Sequence, residues 1–124
     1  MGNFMELNVW QLARSLALEV YQTTRGDRLS KDYGLKDQMQ RSAVSIASNI
    51  AEGEQMGSNR FAVRYFYISR GSAAELLTQL CIAKDIGYID DDLFISLTGK
   101  CNRISAMLMN LIKSRQTVIR HIKE

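Results

Sequence analysis

The stretch from Asn59 to about Ile86 contains no proline, repeats apolar residues at three- and four-residue intervals, and is long enough for a helix of about 42 Å. Phe61, Tyr65, Ile68, Ser72, Leu76, Leu80 and Ala83 give its main stripe. Phe66, Ala73 and Leu77, then Ala62, Val63, Tyr67, Ala74 and Cys81, carry apolar character well round the cylinder. A helix apolar on most sides has to be covered on most sides, and so short a chain has few elements to do it, which predicts contacts between subunits. Phe61, Tyr65, Phe66 and Tyr67 at helical spacing read as core or interface, since a base-stacking platform needs exposed rings.

The other segments share this period. Asn8 is placed to cap a first helix, with Gln11 completing a capping box. Its stripes are Val9, Leu12, Ala13, Leu16, Val20 and Trp10, Ala17, Tyr21, Thr24. Arg25-Gly26-Asp27 ends it, and a polar loop follows through Lys31, Asp32 and Gly34. The second helix starts at Leu35 and carries Ser42, Ala43, Ser45, Ala47, Ser48 and Ala51, small residues that admit a neighbouring backbone and have no base at hand to make any serine a nucleophile. Ser58 caps the third helix; Gly87-Tyr88-Ile89 closes it, and Asp90-Asp91-Asp92 opens the fourth with capping oxygens and negative charge. That acidic triplet lacks the alternating acids, central glycine and terminal glutamate of a calcium loop. The expectation is one all-α domain over 1–124, an antiparallel up-down four-helix bundle with helices at about 8–25, 35–54, 59–86 and 90–123.

With 46% hydrophobic and 23% charged residues the chain has the balance of a folded domain, and its single histidine removes multi-histidine metal sites and mechanisms needing two imidazoles. No cofactor motif or metal-ligand set is present. Glu52 and Glu75 stand in small or apolar stretches where a carboxylate needs a partner, and Arg41 and Arg70 are the candidates. Cys81 and Cys101 read as small core residues of a reduced protein. No run is long enough for a membrane span and the N-terminus lacks a signal pattern, so a cytoplasmic location is expected.

The net charge of +3 is unevenly spread. From Lys100 onward Lys100, Arg103, Lys113, Arg115, Arg120 and Lys123 face one acid, Glu124, while the preceding residues are net acidic. A basic terminal helix complements its own dipole, and it is also the electrostatic footprint of a polyanion partner.

Several segments carry a resemblance: Leu7-x-Val9-Trp10-Gln11-x-Ala13, Tyr33-Gly34-Leu35-x-x-Gln38-Met39, Ser45-Ile46-x-x-Asn49-Ile50-Ala51-Glu52-Gly53, Arg70-Gly71-Ser72-x-x-Glu75-Leu76-x-x-Gln79-Leu80 and Gly87-Tyr88-Ile89. Over roughly residues 7–112 the chain resembles the four-helix bundle family encoded in intervening sequences of bacterial 23S rRNA genes, also called S23. It departs at Ala47, where many members have proline, a change that relaxes the second helix without altering the fold. The resemblance implies a homopentameric ring and no enzymatic activity, with a distant relation to nucleic-acid-binding accessory proteins of diversity-generating retroelements. Asn49, Glu52, Gly53, Arg70, Gly71, Ser72 and Glu75 are then structural motif residues, expected to serve tight packing and buried hydrogen bonds.

Two functions are expected from these features. The first is a non-enzymatic oligomer binding RNA or DNA phosphates through Lys100, Arg103, Lys113, Arg115, Arg120 and Lys123, with Arg60 and Arg64 as a second patch. The alternative is a scaffold that captures a protein partner without touching nucleic acid.

Overall fold

A computed structural model describes residues 3–122, so Lys123 lies outside the described residues. The described chain forms α1 (Asn8–Thr23), α2 (Tyr33–Gln55), α3 (Asn59–Ile86) and α4 (Asp91–Ile122), with short 3-10 turns at Phe4–Glu6 and Leu29–Lys31. Each helix packs against its sequence neighbours and α1 returns to α4, which closes a four-helix bundle. Cross-links such as Ser45 to Ser72 and Gln79 to Ser42 run in opposite chain directions and show α2 and α3 to be antiparallel.

The helix starts differ from the sequence reading in two places. Asn8 is the first residue inside α1, its predecessor Leu7 takes the extended cap position, and Gln11 Nε2 donates to the Met5 carbonyl, so no capping box forms. The 3-10 turn, itself capped by Asn3, occupies the chain just before the helix and takes over that role. At the second helix, Asp32 Oδ1 accepts from Leu35 N at 3.2 Å, which starts α2 at Tyr33 and draws Gly34 out of the expected loop into the first turn. Asp32 also accepts at 3.0 Å from the Tyr88 hydroxyl, while the Arg28 guanidinium lies 5.2 Å from the Tyr88 ring centre. The hydrogen bond to Asp32 holds the Tyr88 phenol protonated above its ordinary range, and the two loops at this end are tied together.

Other boundaries follow the sequence. Ser58 sits in extended conformation before α3, Asp90 Oδ1 accepts from Leu93 N at 2.8 Å, and α2 runs unbroken through Ala47. Gly87 ends α3 at φ 94°, a left-handed residue that lets Tyr88 N reach the Ala83 carbonyl at 2.8 Å.

The core gathers Leu16, Met39, Ile46, Ile50, Phe66, Leu76, Leu80, Leu97, Ile104, Leu108 and Ile112, all fully enclosed. On α3 the buried residues are Ala62, Phe66, Ser69, Ser72, Ala73, Leu76, Gln79, Leu80 and Ala83, so the expected stripe holds from Ser72 onward and is one position off before it. Phe61 and Ile68 therefore face outward, and with Tyr67, Ile82 and Ile86 they leave the outer side of α3 apolar and uncovered in the single chain. Cys81 is exposed on this helix, contrary to expectation, whereas Cys101 is buried in α4.

Gly53 sets how closely α2 and α3 approach: a Cβ there would lie 3.0 Å from Tyr65 Cβ, 3.1 Å from a Phe66 ring carbon and 3.2 Å from the Ala62 carbonyl oxygen. Gly53→Ala is expected to cost about 1–2 kcal/mol despite alanine's better helix propensity. Gly99→Ala meets open space on α4 and is expected to gain about 0.5–1 kcal/mol. Urea unfolding of both variants measures the opposite signs. Burial pushes the Cys101 thiol up to about 12, so its reactive thiolate is absent at ordinary pH. A thiol reagent is expected to titrate at most one cysteine per folded chain, and the second only after denaturation.

Candidate functional site

Two regions gather the residues singled out from the sequence. The first is the α2–α3 seam, where small side chains bring the helices close enough for hydroxyl groups to bridge them. Ser69 Oγ donates to the Ile46 carbonyl at 2.8 Å, the Ser45 and Ser72 hydroxyls pair at 2.8 Å, and Gln79 Nε2 donates to Ser42 Oγ at 3.1 Å. Asn49 Nδ2 folds back onto the Ser45 carbonyl and hydroxyl at 2.8 and 2.9 Å. Gly53 and Ser72 lie in this close contact, whereas Asn49 bonds within its own helix.

The remaining motif residues behave otherwise. Glu52 and Glu75 are exposed, so neither carboxylate needs the buried partner foreseen for it, and no ion pair with Arg41 or Arg70 forms. Gly71 is also exposed, with nothing within 4 Å of where a Cβ would sit, so close packing within the chain does not require it. Arg70 is half-buried. The carboxylate that is buried is Glu54, at 4% exposure, and Arg115 Nη2 meets its Oε2 at 2.8 Å. The Arg115 guanidinium also lies 5.7 Å from the Phe66 ring centre and reaches toward Asn59 Oδ1 at 3.5 Å. Sequence reading missed Glu54 because its segment holds two glutamates two positions apart, and only the helix phase shows which one points inward.

The second region is the end where the start of α3 meets the last turns of α4. Arg60 and Val63 from α3, with Gln116, Ile119 and Arg120 from α4, line one groove of about 390 Å³. Both arginines are exposed, and Lys113 lies seven residues before Arg120, on the same side of α4. Arg64 is exposed one turn along α3, while Arg103 is exposed about 80° round α4 from Lys113 and about three turns away. Lys100 pairs with Glu19, and Arg115 with Glu54. Arg60 and Arg120 share the groove at one end, and Arg103 lies well away from it along α4.

Among curated proteins none matches this chain. The family model described as 23S rRNA-intervening sequence protein matches residues 5–110. The chain belongs to the 23S rRNA-intervening sequence protein family. It is also similar to the crystal structure of a protein of unknown function from the S23 ribosomal protein family of Bacteroides thetaiotaomicron VPI-5482, with a TM-score of 0.78 and 24% identity over 85% of this chain and 98% of that one. At that identity the likeness carries the fold alone, and it agrees with the bundle described above.

The two internal ion pairs differ in consequence. Arg115→Ala leaves Glu54 buried and uncompensated and is expected to cost about 3 kcal/mol. Lys100→Ala, at a pair whose side chains keep 30% and 32% exposure, is expected to cost under about 1 kcal/mol. Thermal unfolding of the two variants separates them.

Proposed function

We propose that the chain is a non-enzymatic, cytoplasmic, homo-oligomeric module that binds RNA or DNA through phosphate contacts at its basic end. The observation that carries this reading is the groove whose lining brings Arg60 and Arg120, far apart in sequence, together at one end of the bundle. Lys113 extends its rim, and Arg64 adds charge one turn along α3. Phosphate contacts of this kind are sequence-tolerant and weaken as salt competes for the same sites.

Self-association is supported by the outer face of α3. Tyr67, Ile68, Ile82 and Ile86 are 44–46% exposed, with the small Gly71 and Ala74 between them and exposed Glu75 on the line from Ile68 to Ile82. A second copy is the occupant proposed for it, and the pentamer of the family resemblance repeats the +3 charge of each chain around one assembly. The scaffold reading is favoured by a different observation, Leu18 and Ile95 exposed to 60% and 64% on other helices.

Light scattering at low and high salt, with and without a generic single-stranded RNA, tests both parts. The expected mass is a multiple of 14.1 kDa that gains RNA only at low salt, with affinity falling by a log-log slope of about 0.7 per phosphate neutralised. Ile68→Glu with Ile82→Glu is expected to reduce the mass to that of one chain. RNA binding that ignores salt overturns the phosphate mechanism, an assembly that takes up no RNA at any salt leaves the scaffold, and a native monomer overturns the assembly.

A further inference from the structure

The outer face of α3, uncovered in the single chain, is not purely apolar. We infer, resting on the self-association reading above, that it receives the exposed stripe of α1 from a second copy, running antiparallel, with Arg25 at Glu75, Tyr21 at Gln79 and Leu18 at Ile82.

Ile68, Glu75 and Ile82 recur at seven residues and share one line of α3, with Gln79 one turn past Glu75. Glu75 is exposed and forms no ion pair with Arg41, although Arg41 lines the same groove. Gln79 is 8% exposed, spends its Nε2 on Ser42, and has no donor for its Oε1. A surface that covers the isoleucines also takes these acceptors out of water, and a carboxylate buried without a cation is costly. The occupant therefore carries apolar side chains, a cation and a hydrogen-bond donor on one line.

The chain has such a line. On α1 Arg14, Leu18 and Tyr21, with Arg25 in the turn that continues the helix, follow at four, three and four residues, and all four are exposed. Leu18 and Arg25 are seven residues apart, as are Glu75 and Ile82, so one alignment satisfies both pairs and brings the Tyr21 hydroxyl to the groove lined by Gln79. Asp27, exposed two residues past Arg25, supplies an acid for Arg41. Running parallel, the same pairing sets Arg14 against exposed Arg64. Arg14 placed on Glu75 instead sets Arg25 against Arg64 in one direction and apolar Leu18 against Gln79 in the other. The α3 face laid on itself fares worse: parallel, or antiparallel and centred on Glu75, it opposes the two carboxylates, and shifted to pair Glu75 with Arg64 it sets Ile82 opposite Gly57, before α3 begins. Because the two faces of the contact differ, it repeats head to tail and builds a ring where the rotation closes. Leu18 is thereby covered, and Ile95 is left as the exposed residue on which a scaffold would rest.

Sedimentation velocity of the full chain over a concentration series tests the inference. Leu18→Glu and Ile82→Glu are each expected to weaken association at least about tenfold, since each sets a carboxylate under apolar contacts. Their mixture is expected to recover a 1:1 complex of twice 14.1 kDa, because one chain keeps its α3 face and the other its α1 stripe. Leu18→Ser and Ile82→Ser repeat the test should a glutamate variant fail to fold. Arg25→Glu is expected to weaken assembly, and Glu75→Arg in the same chain to restore it. A Leu18→Glu chain that assembles like the wild type, or a mixture that stays monomeric where the wild type assembles, overturns the α1–α3 contact and leaves self-association standing. Charge reversal that is not restored overturns the Arg25–Glu75 register. An Ile82→Glu chain that assembles like the wild type, or a wild-type chain that is monomeric at every concentration, overturns both readings.

Discussion

The close approach of α2 and α3 is the constraint on which the rest of the bundle depends. It exists because Gly53 has no Cβ to hold Tyr65, Phe66 and the Ala62 carbonyl away, and because serines rather than larger residues line the facing turns. Once the backbones are that near, Ser69 can reach the Ile46 carbonyl and Ser72 can reach Ser45, bonds with directional requirements that apolar packing lacks. Sliding the helices past each other would bury these hydroxyls without partners, so the polar seam fixes a register that leucine contacts alone would leave loose. The register then determines where the α2–α3 corner lies, and with it the place of Glu54, Asn59 and Arg60. Arg115 reaches across to that corner from α4, so the basic groove inherits its geometry from a seam on the other side of α3.

Helix number, order and most ends were legible in the sequence, since a chain without proline and with strong three- and four-residue periodicity has few alternatives. The exceptions share a cause. Asn8 and Gln11 have the residue types of a capping box, but the Phe4–Glu6 turn ahead of them satisfies the chain in another way. Asp32 looked like a loop residue because its second partner, Tyr88, is far away in sequence and becomes a neighbour only when the bundle closes. Local pattern identifies what a side chain is able to do, and tertiary neighbours select among those abilities.

The candidate site was legible only as a bias. Counting charges from Lys100 onward finds a basic terminal helix, yet two of its members, Lys100 and Arg115, are neutralised by Glu19 and Glu54 from elsewhere in the chain. Those acids sit in segments that read as net acidic, so the asymmetry along the sequence is partly cancelled in space. What remains is concentrated by topology: antiparallel packing sets the first turns of α3 beside the last turns of α4 and joins Arg60 to Arg120. Gln116, whose amide completes that groove, carried no signal, because a glutamine on a polar helix face is ordinary until a groove is seen around it.

The motif residues divide along the same lines. Gly53 and Ser72 turn inward and are explained by the seam, half-buried Asn49 bonds back onto Ser45 of its own helix, and Glu52, Gly71 and Glu75 turn outward and contribute nothing to the packing of a single chain. Arg41 and Glu52, eleven residues apart, share a stripe of α2 that flanks the groove containing Glu75, and Glu75 itself stands between Ile68 and Ile82, so charges of both signs lie at the edge of the apolar outer side of α3 and within it. Apolar area promotes association without choosing an orientation; charges fixed at its margin choose one, because a misaligned partner sets like against like. A surface built in this way is suited to meeting another surface in one register, and the same helix that organises the core through Ser69 and Ser72 presents it.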